Sequence, residues 1–130
     1  MFKMPSDKSK VIPNVFRETC PARYLLNKIS GKWSLLIVDI LNDKSMRNGE
    51  LMRSIEGISQ KMLTQTLRDL EEIRLIKRHD MKTVPPHVEY ELTDLGKSLR
   101  ETICAMDRWI EHNMLEIVTN NKTIDINISH

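Results

Sequence analysis

The chain has 130 residues, 40% hydrophobic and 29% charged, the balance of one ordinary globular domain with enough length for a core. Its net charge of +2 neither requires an acidic partner nor excludes one, because a local basic face outweighs the sum. No apolar run approaches the ~18 residues of a membrane span, and the first residues hold no apolar signal core, so a cytoplasmic protein with no membrane partner is expected.

Residues 1–19 are polar, contain Pro5 and Pro13 and lack helical periodicity, which predicts a flexible N-terminal arm. Cys20-Pro21 opens the first helix, with proline at its tolerated first position, and Gly31 is placed to cap its C-terminus. From about Trp33 a second helix carries Leu35, Leu36, Ile37, Ile40 and Leu41. Being apolar nearly all round, it is expected at the centre of the core. Asn42-Asp43-Lys44-Ser45 ends it.

Asn48 is placed to cap a short third helix, Gly49 to Ile55, and Glu56-Gly57 makes a turn. A longer helix follows, Ser59 to Ile73. At about 100° per residue, Leu63, Leu67 and Leu70 form one stripe, while Lys61, Thr64, Gln65 and Arg68 form another on the opposite face. A short helix, a glycine turn and a longer amphipathic helix make a helix-turn-helix arrangement. The outer stripe carries groups that read base edges and phosphates in a major groove. Solvated helix faces have the same composition, so these residues alone leave both readings open.

Leu75–Asp80 and Val88–Leu92 alternate with period 2 and predict two strands, joined by a loop that Pro85-Pro86 stiffens. Two strands with a cationic tip behind a helix-turn-helix make a wing, spanning 76–92. Thr93 caps a final helix from Asp94 to about Glu116, with Leu95, Leu99, Ile103, Met106, Ile110 and Ile117 in one stripe and Trp109 beside it. That helix is longer than a small winged domain needs for its own packing, so its surplus apolar face is expected to meet a second copy. The fold expected is therefore mainly α with a small β-hairpin wing. It is a winged helix-turn-helix in residues 20–117, dimerising through its N- and C-terminal helices. A polar tail, 118–130, is expected to fray, or to form a small edge strand through Ile124, Ile126 and Ile128.

In order along the chain stand Cys20-Pro21, Gly31-Lys32-Trp33, Gly49-Glu50-Leu51, Gly57-Ile58-Ser59-Gln60-Lys61-Met62-Leu63, Val84-Pro85-Pro86, Val88-Glu89-Tyr90 and Leu92-Thr93-Asp94-Leu95-Gly96. This set resembles the HxlR-type family of bacterial winged helix-turn-helix regulators, related in fold to the MarR family, over about residues 20 to 112. The resemblance implies a homodimeric transcription regulator that binds a palindromic double-stranded DNA operator. His87 stands where the family often carries Arg or Lys. Cys104 lies before Trp109 rather than beyond it, so no intersubunit disulfide is carried over.

The candidate DNA-binding residues are then Gln60, Lys61, Thr64, Gln65 and Arg68 on the recognition helix, with Ser59 at its start. Lys82 and His87 on the wing would reach backbone or minor groove. Asn48 would donate to a phosphate, or only cap its helix. Cys20, at a helix N-terminus with Arg23 one turn along, is the candidate redox sensor. Free N–H groups there stabilise a thiolate, and some HxlR-type regulators sense oxidants or quinones through a cysteine at this place. The alternative for Cys20 is plain packing, and Cys104 is read as core.

His79, His87, His112 and His130 are scattered without partners at ligand spacing, so no metal or cofactor is expected. Nothing resembles a phosphate loop, a nucleophile elbow or an acid–base pair, so no enzyme is expected. Trp33 and Trp109 are read as core or interface anchors. Two other classes stay open: a regulator answering to a small molecule without redox sensing, and a dimeric interaction module that has lost DNA binding.

Overall fold

The computed structural model describes residues 12–120. The expected strand through Ile124, Ile126 and Ile128 lies outside the described residues, as do positions 1–11 of the arm. Eight elements follow one another: α1 (Pro21–Ile29), α2 (Lys32–Leu41), β1 (Met46–Arg47), α3 (Asn48–Ser54), α4 (Gln60–Glu72), β2 (Ile76–Asp80), β3 (Val88–Leu92) and α5 (Asp94–Asn120). Four short helices and a small sheet precede one helix of 27 residues, about 40 Å long at 1.5 Å per residue.

The predicted wing strands pair antiparallel, Ile76 opposite Leu92 and His79 opposite Glu89. The sheet is larger than a hairpin, however. β1 adds a third strand on the far side of β3, Met46 opposite Tyr90 and Arg47 opposite Glu89, giving the order β1-β3-β2. Two residues are too few for periodicity to reveal. Met46 is driven there by burial, being 3% exposed.

Both cap assignments at glycine and asparagine move by one place. α1 ends on Ser30, whose N–H donates to the Leu26 carbonyl, and Gly31 is extended at the start of α2. The joint is only two residues long, so the glycine serves the entry of the next helix rather than the exit of the last. Ser34 Oγ ties the joint by donating to the Lys28 carbonyl at 2.9 Å. α3 likewise starts from Arg47, with Asn48 already inside its first turn, and Glu50 accepts the Arg47 N–H at 3.1 Å. The carboxylate reaches back from the first turn and satisfies the N–H of the capping residue itself.

The core joins Ile37, Val38 and Leu41 of α2 to Leu51 of α3 and the leucine stripe of α4, with Ile76, Leu92 and Ile103 closing it. α2 is not buried all round. Leu36 is exposed and Leu35 and Ile40 are half-buried, because one side of α2 borders an open groove of about 350 Å³ against α5. α5 keeps Ile103 in the core and half-buries Leu99, then runs outward with Met106, Trp109, Ile110, Met114 and Leu115 uncovered. Cys104 leaves the core too. One residue past Ile103 it is turned about 100° from the stripe, half-buried, with Sγ 3.8 Å from Asp39 Oδ1.

Where the sheet hands over to α5, Thr93 caps as expected: its Oγ1 accepts the Gly96 N–H at 3.0 Å. Gly96 is there for room. A Cβ on it would overlap the Leu75 carbonyl oxygen, a backbone atom that cannot swing aside. Gly96→Ala should therefore destabilise the fold by about 3 kcal/mol, the upper range for overpacking. Chemical unfolding checks this, and a loss below about 1 kcal/mol would contradict the contact.

Candidate nucleic-acid interface

α4 begins at Ser59, whose side chain accepts the Met62 N–H at 3.1 Å, an N-cap of the kind the sequence predicts. Its inner face is Leu63, Thr66, Leu67 and Leu70, none more than 5% exposed. Burying each leucine contributes about 2 kcal/mol, which locks the helix's rotation about its own axis. Thr66 joins this face because its hydroxyl donates to the Met62 carbonyl at 2.7 Å, so no polar group is stranded.

The opposite face shows Gln60, Lys61, Gln65 and Arg68 exposed and Thr64 half-buried. Two of these are ordered by neighbours four residues on: Gln60 Nε2 donates to Thr64 Oγ1 at 3.0 Å, and Gln65 Nε2 to Asp69 Oδ1 at 3.1 Å. Among the described residues neither Lys61 nor Arg68 has an ion-pair partner. Two uncompensated cations flanking ordered amides make a face suited to a polyanion. Periodicity reveals the face; the pairing with Asp69 is invisible to it, because Asp69 reads as one more surface charge.

The wing is different. His87 is half-buried and its Nε2 lies 2.6 Å from Glu89 Oε2, so this nitrogen is already engaged. Lys82 is exposed at the loop, with φ of 53° and its backbone N–H donating to Asp80 Oδ1 at 2.9 Å. β2 carries two further cations, Lys77 and Arg78. Both are exposed, but Lys77 pairs with Glu91 at 3.2 Å and Arg78 lies 4.0 Å from Asp80. Glu91 also takes His79 Nε2 at 2.8 Å and the Ser45 hydroxyl at 3.3 Å. The His79 hydrogen bond, then that from Lys77, holds the Glu91 carboxyl below its ordinary value. The wing's cations are thus largely matched within the wing. Asn48 is half-buried at the start of α3.

Cys20 is not the exposed hinge that its position suggests; it is 8% exposed. Residues 14–20 fold into two turns across it, and the Asn14 N–H lies 3.3 Å from Sγ. That N–H, with those of Ala22 and Arg23 and the charge of Arg17, lowers the thiol below its ordinary range against the opposing effect of burial. Arg17, rather than the Arg23 guanidinium, supplies the charge. Arg23 instead holds the covering turns through the Val15 and Phe16 carbonyls at 2.7 and 3.1 Å. Among the described residues no cluster of His, Cys, Asp and Glu could hold a metal ion, and no helix is long and apolar enough to cross a membrane.

Helix, turn and exposed helix backed by a three-stranded wing define a winged helix-turn-helix DNA-binding domain. The family model for HxlR-like helix-turn-helix proteins matches residues 28–117, and the chain belongs to that family. It is 41% identical over 105 residues to YtfH of Escherichia coli (strain K12), an uncharacterized HTH-type transcriptional regulator, covering 81% of this chain and 83% of YtfH. The solved structure of YtfH from Salmonella typhimurium aligns with a TM-score of 0.77 at 38% identity, over 82% of this chain and 96% of that one. The redox regulator HypR in its reduced form aligns with a TM-score of 0.70 at 34% identity, over 78% and 99%. The chain is a transcription regulator with a helix-turn-helix DNA-binding domain, a non-enzymatic role.

The Glu91 network gives a pH signature. A depressed carboxyl contributes stability that is complete above its unfolded value and is lost as pH falls through the folded one. Glu91→Gln should lower stability at neutral pH by about 0.5–1 kcal/mol, the range for a partly exposed pair. The gap from the unsubstituted protein should close below about pH 4.3. Thermal unfolding of both proteins from pH 7 to pH 3 measures this, and a gap independent of pH would contradict it.

Proposed function

We propose that two copies of the chain pair through α5 and α1 and bind a palindromic operator, each α4 entering one of two successive major grooves about 34 Å apart. Gln60, Lys61, Thr64, Gln65 and Arg68 meet base edges and nearby phosphates. Ser59, at the helix N-terminus, and Asn48 lie toward the backbone, and Lys82 and His87 on the wing position the protein on backbone or minor groove. The observation that carries this reading is the face of α4, where among the described residues Lys61 and Arg68 have no ion-pair partner while the far side is anchored in the core. The apolar side chains of α5 beyond the core, Trp109 at 59% and Leu115 at 67% exposure, support pairing with a second copy. An interaction module without DNA binding has no use for two uncompensated cations between ordered amides.

Binding driven by phosphates weakens log-linearly with salt, at a slope of about −0.9 per phosphate contact. Lys61→Ala with Arg68→Ala should flatten the slope by roughly one to four across a dimer and cut affinity for the upstream DNA of its own gene at least about tenfold. Gel-shift titrations across salt concentrations decide it, and unchanged slope and affinity would remove α4 from the interface.

Cys20 is the proposed switch. Its lowered thiol favours the reactive thiolate, and the turns across it, which Arg23 tethers, would have to open when it is modified. Mild oxidant should release the unsubstituted protein from DNA and leave Cys20→Ser bound. Equal release of both would eliminate Cys20. A small-molecule effector is the second reading, favoured by the groove between α2 and α5, and it too predicts equal response in both proteins.

A further inference from the structure

Asp69 sits on α4 at the margin between the buried stripe and the exposed face, with its side chain 23% exposed. Two groups from different elements converge on its Oδ1. Gln65 Nε2 donates from one turn earlier on the same helix, at 3.1 Å. Lys28 Nζ reaches across from α1 at 3.3 Å. The Asp69 hydrogen bond raises the Lys28 ammonium's affinity for its proton, so the contact is one of opposite charges. α1 grips α4 a second time through Tyr24, whose hydroxyl donates to Glu72 Oε1 at 3.4 Å.

This arrangement decides which way the Gln65 amide turns. An ionised carboxylate only accepts hydrogen bonds, so the amide must give it an N–H; the flipped amide would set two acceptors against each other. One of the two Nε2 hydrogens is committed, so the amide is left with its second N–H and Oε1, side by side and in a fixed order. In the major groove adenine complements that pair, N7 accepting and N6 donating, whereas guanine N7 and O6 both accept. Lys28 holds Asp69 from the far side, so the carboxylate is not free to follow the amide if it turns.

We infer that Asp69, held from α1 by Lys28, is a positioning residue that sets the base preference of Gln65 toward adenine. The inference rests on α4 entering the major groove. Asp69 and Lys28 touch no base in it; both act through Gln65.

The test is selection from a randomised pool of DNA duplexes by the full-length protein and its variants, with base frequencies counted at every position. Gln65→Ala identifies the base pair that Gln65 reads. The unsubstituted protein should prefer an A·T pair there, and Gln65→Ala should reduce that preference at least about fivefold. Asp69→Ala should reduce it at the same position by about threefold or more, and the double variant should be no worse than Gln65→Ala alone. Lys28→Met should act in the same direction more weakly. The two substitutions change net charge in opposite senses, so a shared loss cannot come from overall electrostatics. Neither should alter the salt slope.

Should Asp69→Ala fail to fold by circular dichroism, Asp69→Asn serves instead, because its amide accepts either orientation of Gln65 and should give a mixed preference. An unaltered preference in the Asp69 variant overturns the inference, as does a preference for a G·C pair in the unsubstituted protein. A protein that selects no sequence and shows no salt-dependent binding would sink the major-groove reading itself, a result distinct from binding with unaltered preference.

Discussion

The three working parts of the molecule are joined at Thr93. Its hydroxyl donates to the Arg74 carbonyl at 2.7 Å, with the Leu75 carbonyl at 3.1 Å, and accepts the Gly96 N–H at 3.0 Å. Its backbone N–H donates to the same Leu75 carbonyl at 3.0 Å, while the Leu75 N–H closes back onto Leu70 at the end of α4. Exit of the exposed helix, start of the wing and start of the long helix therefore share one set of hydrogen bonds. Gly96 lets the backbones come that close. If any of these bonds slackened, the angle between α4 and α5 would drift. In the proposed dimer, two α4 helices carried by paired α5 helices would meet successive grooves only if that angle is held.

With the geometry fixed there, charge divides the labour. On the wing, Lys77 and His79 share Glu91, His87 has Glu89, and Arg78 lies near Asp80. On α4, Asp69 faces Lys28 and Gln65, and Glu72 faces Tyr24. Among the described residues Lys61 and Arg68 have no ion-pair partner. In the proposed complex, amides already ordered beside these cations leave less side-chain freedom to be lost on binding.

Long, strongly periodic features were legible in the residues. The leucine stripe of α4, its polar face, the alternating wing strands and the Thr93 cap all emerge from spacing and side-chain chemistry. Contacts between elements distant in sequence were not. β1 is two residues long and exists because Met46 finds the core. Leu36 reads as buried from its helix alone, yet one side of α2 borders an open groove. The caps at Gly31 and Asn48 each slipped by one residue, since a two-residue joint and the Glu50 carboxylate outweighed the local preference. Cys104 follows a core residue in sequence but faces Asp39 on α2, and Asp69 acquires its role only when α1 brings Lys28 across.

The proposed function rests on a pair of α4 helices reading DNA. Hydroxyl-radical footprinting on the intergenic DNA beside its own gene tests it most directly, because protection maps the backbone around each inserted helix. The prediction is two symmetry-related patches of protection separated by about one helical turn, 10–10.5 base pairs centre to centre. A single patch, or protection spread evenly without a two-fold pattern, would contradict it.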